Sequence, residues 1–150
     1  MPKIDLNAVP EINRTGYPKP YSDAVAGRHY RRLGAAAGLK DFGVNLCRLE
    51  PGAWSSQRHW HSSEDEFVWM VEGEAVLVTD AGETLLRAGD CAAFPAGEAN
   101  AHHLINRSDR DAVFLAVGSD KPADTCHYPD IDMHLPRNDG PFTRKDGTPY

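Results

Sequence analysis

Two histidines separated by one residue, His59 and His61, are the first feature of the sequence that could carry chemistry. Side chains two positions apart in a β-strand point to the same face, so both imidazoles would project to one side. Two neutral imidazoles side by side form half of a typical transition-metal site. A histidine pair on a strand is more often partly exposed surface, so the pair indicates a metal site only if further ligands join it.

An acidic cluster, Glu64-Asp65-Glu66, follows directly. Glu66 opens an apolar segment over residues 67–71, which places it in a strand rather than in a loop. A hairpin through residues 62–65 would bring Glu66 back beside the two histidines. One carboxylate added to two imidazoles suits a single divalent transition metal, namely Mn, Fe, Ni, Co or Zn. Glu64 and Asp65 are the alternative carboxylates.

A second histidine pair, His102-His103, precedes another apolar segment. Adjacent residues face opposite sides of a strand, so only one of the two can join the first site. Strand geometry alone does not choose between them.

Short apolar runs separated by turn residues are the elements that must position these side chains. Strand-like runs with turn signals about every eight to twelve residues are typical of an all-β sandwich or barrel. A short helix over residues 22–30 competes with the first run. The predicted strands cover residues 28–33, 42–49, 66–72, 75–79, 83–87, 91–94, 102–106 and 112–117.

Proline-rich segments flank these runs on both sides. We therefore predict an extended N-terminal arm over residues 1–26, a β-barrel over residues 27–120 and a C-terminal arm over residues 121–150. The C-terminal arm is predicted to be irregular. Its aromatic and apolar side chains predict that it packs on the barrel.

Composition restricts the partners. The 150 residues fit one domain, and a net charge of −6 without a basic block argues against nucleic acid. No apolar stretch is long enough to span a membrane, and the first residues lack the apolar core of a signal peptide. Three widely spaced cysteines without a CxxC pair agree with a cytoplasmic location.

Two composite motifs resemble those of the cupin superfamily. The first runs from Pro51-Gly52 through His59-Trp60-His61 and Glu66 to Gly73, and the second runs from Gly89 through Pro95-Ala96-Gly97 and His102 to Asn106. The resemblance implies a double-stranded β-helix, which is a jelly-roll barrel, with a small-molecule substrate in its mouth. It also implies four metal ligands, and the second motif selects His102 over His103. The implied ligands are His59, His61, Glu66 and His102.

A closer resemblance extends over nearly the whole chain, to small single-domain bacterial cupins that are often described as sugar-phosphate isomerases. The matching segments include 31–34, 42–46, 55–56, 58–61, 64–67, 128–132 and 145–150. We therefore expect a metal-dependent isomerase. In such an enzyme the metal would stabilise an enediolate while a base moves a proton.

The isomerase hypothesis needs a base and a phosphate anchor. The candidates for the base are Glu64, His103 and Tyr30. The available cations are Arg31, Arg32, Arg48, Arg58 and Lys145. A metal-dependent dioxygenase, or a lyase or decarboxylase of a small organic acid, is the enzymatic alternative, and a non-catalytic small-molecule-binding cupin is the other. Sheet edges and three tryptophans favour a homodimer under each hypothesis.

Overall fold

The computed structural model describes residues 2–150, and β-strands dominate them. The helical elements of the described chain are a one-turn helix, α1 (Leu33–Ala36), and two 3-10 turns at Leu6–Ala8 and Asp23–Val25. The predicted all-β class is confirmed. The strands are β1 (Arg28–Arg32), β2 (Phe42–Leu49), β3 (Trp60–His61), β4 (Glu66–Glu72), β5 (Glu74–Thr79), β6 (Gly82–Arg87), β7 (Cys91–Phe94), β8 (His103–Ile105), β9 (Ala112–Ser119), β10 (Cys126–Tyr128) and β11 (Met133–Leu135).

The strands form one large and two small antiparallel sheets. The large sheet has the order β1-β2-β9-β4-β7, and the small sheets have the orders β6-β5-β8 and β11-β10-β3. Two isolated bridges connect the segment before β3 with the region of β8. Trp54 pairs with Ile105 in β8, and His59 pairs with His102, the residue before β8. The small sheets therefore adjoin each other, and side chains of β5, β6 and β8 share one core cluster with those of the large sheet.

Alternation along β4 shows how the sequence creates this core. Val68 and Met70 are buried, whereas Phe67, Trp69 and Val71 are 40–48% exposed on the other face. A strand places successive side chains on opposite faces, so one continuous apolar run supplies both a core and an apolar outer surface.

Replacing Met70, which is fully buried, with alanine is expected to lower the free energy of unfolding by about 2–5 kcal/mol. The loss combines the transfer free energy of the side chain with the cavity that it leaves. The matched control is Trp69→Ala on the exposed face of the same strand, for which we expect about 1 kcal/mol or less. Urea denaturation measures the free energy of unfolding of both variants. Equal decreases in the two would contradict this assignment of the buried and exposed faces.

Two segments differ from the sequence prediction. The helix considered over residues 22–30 is limited to the short turn at Asp23–Val25, because β1 pairs with β2 and Tyr30 also bridges to Ile12. The tail that was predicted to be irregular contains β10 and β11, and β10 pairs with β3. Pro122, Pro129 and Pro136 lie outside these strands, so they do not interrupt the ladder hydrogen bonds.

The segments before β1 and after β9 meet each other. Tyr17 packs edge-on against Tyr128 and Phe142, with ring centroids 5.9 and 5.3 Å away. These rings join a second apolar cluster on β10 and β11. Within residues 2–150 no helix is long and apolar enough to cross a membrane.

Candidate functional site

Three strand ends bring the predicted metal ligands together. His59 and His102 form an antiparallel bridge in which each backbone N–H donates to the other residue's carbonyl, at 3.1 and 2.8 Å. His61 ends β3, and Glu66 begins β4. The imidazole of His59 consequently lies 5.0 Å, between ring centroids, from those of both His61 and His102.

The carboxylate of Glu66 lies at the centre of the three imidazoles. Its oxygens are 3.6 Å from His59 Nε2, 3.5 Å from His61 Nε2 and 2.7 Å from His102 Nε2. All three histidines thus present the same ring nitrogen to one carboxylate. This geometry brings together one oxygen and three nitrogen donors, a set suited to a divalent transition metal.

The other nitrogen of each ring is held by a protein oxygen. The Nδ1 atoms of His59, His61 and His102 lie 2.8, 2.6 and 3.1 Å from the Gln57 carbonyl, the Asp124 carboxylate and the Asn100 carbonyl, respectively. Carbonyl and carboxylate oxygens only accept, so each Nδ1 carries a proton. Nδ1 is therefore already occupied, and a metal would take the place of the Nε2 proton that the Glu66 carboxylate accepts, as it does from His102 at 2.7 Å.

Charge within the cluster shifts two pKa values. Burial raises the pKa of Glu66, but the surrounding imidazoles outweigh burial and hold the pKa well below its usual value. Burial lowers the pKa of His61, whereas Glu66 and Asp124 raise it to about 9. The cluster thus keeps Glu66 ionised, as a metal ligand must be.

Asp124 is a residue of the candidate site that the sequence analysis missed. It is buried and accepts hydrogen bonds from His61 Nδ1 and from the backbone N–H groups of Ser63 and Glu64, at 2.6, 2.7 and 3.2 Å. It lies 63 residues from His61 in the chain, and no local pattern marks it. Its contact was therefore invisible to arguments from strand periodicity.

The alternative carboxylates make other contacts, although Glu64 also lies 3.8 Å from His61 Nδ1 and forms a candidate metal-binding group with His61 and Asp124. Glu64 accepts from the Lys121 backbone N–H at 2.6 Å and from the Asn138 amide at 3.0 Å. Asp65 accepts from the backbone N–H of Ala96 at 2.8 Å. Glu66 is therefore the carboxylate of this cluster that approaches all three imidazoles.

His102 and His103 have different surroundings, as their adjacent strand positions require. Nε2 of His102 faces Glu66, and its ring stacks on Phe94 with centroids 3.5 Å apart. His103 instead binds the Ser56 carbonyl through Nδ1 at 2.9 Å and packs edge-on against Trp54. Burial lowers the pKa of His103, which favours the neutral ring.

The candidate bases differ in their access to the main cavity, which has a volume of about 480 Å³. Glu64 and His103 line it together with the four predicted ligands. Tyr30 packs against the core, and its hydroxyl donates to the Arg14 carbonyl at 3.2 Å. Burial raises the pKa of Glu64.

Cys126 joins the wall of the same cavity from β10. Its sulfur lies within 4.8 Å of ring nitrogens of His59 and His61. Burial raises the pKa of this thiol, which favours the neutral form over the thiolate that binds metals.

The cations that were considered as phosphate anchors make other contacts. Arg31 donates to the backbone carbonyls of Leu6 and Val9, and Lys145 donates to that of Pro129. Arg48 pairs with Glu11 and Asp111, and Arg58 pairs with Asp80 and Asp130. Arg32 is exposed.

Comparisons with known proteins agree with the fold. The Cupin_2 (cupin domain) family matches residues 45–118. A sugar phosphate isomerase of the cupin superfamily from Silicibacter pomeroyi is 50% identical, with a TM-score of 0.94 over 99% of this chain and 96% of that chain. The chain belongs to the cupin superfamily.

Other solved cupins are more distant. A proposed sugar phosphate isomerase from Acidithiobacillus ferrooxidans is 32% identical, with a TM-score of 0.73 over 79% of this chain and 76% of that chain. A Cupin 2 conserved barrel domain protein from Salinispora arenicola is 28% identical, with a TM-score of 0.54 over 62% and 76%. A search of curated proteins finds no match for this cupin. The predicted cupin barrel is nevertheless confirmed.

Proposed function

We propose that His59, His61, Glu66 and His102 hold one divalent transition metal and that this cupin acts on a small molecule in the adjoining cavity. One observation carries the proposal: three Nε2 atoms face one carboxylate while each Nδ1 is held by a protein oxygen. Metal-binding histidines usually donate their other ring N–H to a protein oxygen, and each of these three rings has such an acceptor.

The chain's own residues prepare the site for such an ion. The Nδ1 acceptors and the stacked ring of Phe94 hold the imidazoles in place, and Glu66 supplies the negative charge. Tyr17 and Phe142, which contact each other, also line the cavity. The ion, when bound, supplies Lewis-acid stabilisation of negative charge on substrate oxygens.

We propose sugar-phosphate isomerisation as the reaction class. The cavity wall includes polar side chains at Asn45, Ser56 and Asn138, which suit a hydroxylated substrate. Isomerisation also needs a group that moves a proton between neighbouring carbons. Glu64 and His103 line the cavity outside the proposed ligand set, so they are the candidates for that role. The names of the Silicibacter and Acidithiobacillus proteins support the same class.

The alternatives make different demands on the cavity. A dioxygenase would be favoured by walls that are apolar throughout, and the polar side chains on this wall weigh against it. A lyase or decarboxylase of a small acid shares the same metal set and is distinguished by its product. A non-catalytic binding cupin would hold the metal and the ligand without turnover.

The proposal predicts that untagged purified protein contains about one first-row transition metal per chain, measured by elemental analysis. It also predicts turnover of an aldose or ketose phosphate by the metal-loaded protein. In D₂O, proton transfer should introduce deuterium at the carbon next to the carbonyl, which proton NMR detects. The same assay includes catechol-like acids and small dicarboxylic acids, with oxygen consumption and carbon dioxide release as readouts.

Two controls make this experiment decisive. Protein stripped of metal with EDTA should not exchange the substrate proton, and Glu64→Gln and His103→Gln test the two candidate bases in protein that retains its metal. Absence of metal would contradict the proposed site. Oxygen consumption or carbon dioxide release without isomerisation would replace the proposed reaction by an alternative.

The remaining sequence predictions have partial structural support. Pairing between β10 and β3, together with the contact between Tyr17 and Phe142, supports two arms packed on a barrel at residues 27–120. The exposed apolar face of β4 supports a homodimer, because patches of this kind often mediate association. The homodimer and the cytoplasmic location stay predictions.

A further inference from the structure

Arg28, the first residue of β1, is the only arginine or lysine of residues 2–150 that lines the main cavity. The register of β1 and β2 places Arg28 opposite Leu49 and Tyr30 opposite Cys47. Leu49 and Cys47 belong to the core, and paired residues project to the same face of a sheet. A guanidinium therefore lies in the wall that also carries the candidate metal centre.

The hydrogen bonding of this guanidinium is incomplete. One terminal nitrogen donates to the Ser55 carbonyl at 2.8 Å, and the other donates to the Arg14 carbonyl at 3.5 Å. The Nε of Arg28 is buried and has no hydrogen-bond partner, and it is the one such side-chain atom among the described residues. Native proteins rarely leave a buried donor unpaired, so the geometry indicates a missing acceptor.

The charge of Arg28 also lacks a partner. Its contacts are neutral, namely two carbonyls and the ring of Tyr30, whose centroid lies 5.5 Å from the guanidinium carbon. No carboxylate of residues 2–150 forms an ion pair with it, whereas Arg48 and Arg58 each pair with two carboxylates. Arg28 is half-buried, and a charge that is partly withdrawn from water is normally paired, so an anion is the acceptor that fits this site.

We infer that Arg28 binds the anionic group of the substrate, a phosphate or a carboxylate, through its unpaired N–H groups. The planar fork of donors on a guanidinium matches two oxygens of either anion. This inference rests on the proposed function, because the metal centre in the same cavity would bind the other end of the molecule. The substrate class is therefore a small molecule with an anionic group at one end and metal-binding oxygens at the other.

Titration of inorganic phosphate and, separately, of acetate into metal-free protein tests this inference by calorimetry. Wild type is compared with Arg28→Gln and with the matched control Arg32→Gln, which removes the same charge from an exposed position. We expect anion binding to weaken at least about tenfold in Arg28→Gln, because hydrogen bonds to charged groups are strong. We expect Arg32→Gln to bind as wild type does. The anion that binds more tightly identifies the chemical group.

Two results would overturn the inference. One is equal anion affinity in folded Arg28→Gln and wild type. The other is anion binding that occurs only after metal is added, because the anion would then be a ligand of the metal. If Arg28→Gln does not fold, Arg28→Lys decides, because it keeps the charge and loses the planar fork. Unchanged affinity in that variant contradicts the assignment. If purified wild-type protein contains no metal, this contradicts the proposed function but not the role of Arg28, because the titration uses metal-free protein.

Discussion

Replacing His102 with alanine is expected to abolish metal retention, so that the metal content of purified protein falls from about one ion per chain to near zero. The substitution removes one of the three Nε2 donors around Glu66, the donor that lies 2.7 Å from the carboxylate. It also removes the ring that stacks on Phe94. Elemental analysis after dialysis against a weak chelator gives the metal content directly.

His103→Ala is the matched control, because it removes the same side chain from the adjacent position. His103 is buried as His102 is, but it binds the Ser56 carbonyl and does not approach Glu66. The control variant should retain most of the metal. Equal metal contents in the two variants would show that the ligand set is wrong.

Replacing Asp124 with asparagine is expected to weaken metal affinity by about 10–100-fold while leaving the ligand set unchanged. One carboxylate oxygen accepts from the backbone N–H groups of Ser63 and Glu64, and the other accepts from His61 Nδ1. In the asparagine variant, the amide oxygen must accept the hydrogen bonds of the two backbone N–H groups. The amide NH₂ would then face Nδ1 of His61.

That exchange would reverse the tautomer of His61. A neutral ring that accepts at Nδ1 carries its proton on Nε2, so His61 can bind a metal through Nε2 only after the tautomer changes back, and this cost lowers the affinity. Competition with a metal-binding dye measures the change in affinity. Asp130→Asn is the control, because Asp130 pairs with Arg58 and not with a metal-site histidine. Equal affinities in the two folded variants would contradict a role for Asp124 in orienting His61.

Local periodicity accounts for most of what the sequence predicted. Alternation within β4 and the turn residues between strands are properties of neighbouring residues, so the individual strands could be predicted with their approximate boundaries. The motif resemblance then implied His59, His61, Glu66 and His102, and the structure brings these four together. Their ligation of a metal stays a prediction.

Contacts between distant segments were not predictable in this way. Asp124 reaches His61 because β10 pairs with β3, and strands of three and two residues have no periodicity that could reveal this. Arg28 is different, because a signal existed. The pairing of residues 28–33 with 42–49 was predicted, and Arg28 shares a face of β1 with Tyr30. Applying strand parity to that pairing would have placed Arg28 on the inner face.

The contact between Tyr17 and Phe142 has a consequence for the order of folding. It joins residues from either side of the barrel, while β2, β4 and β9 pair with one another in a single sheet. Contacts between residues far apart in sequence are slow to form. The strand pairs of this sheet are closer in sequence than residues 17 and 142, so we expect the sheet to assemble before this contact forms. Asp124 lies after β9, so the correct tautomer of His61 is completed in this later stage, and metal binding would report the last step of maturation.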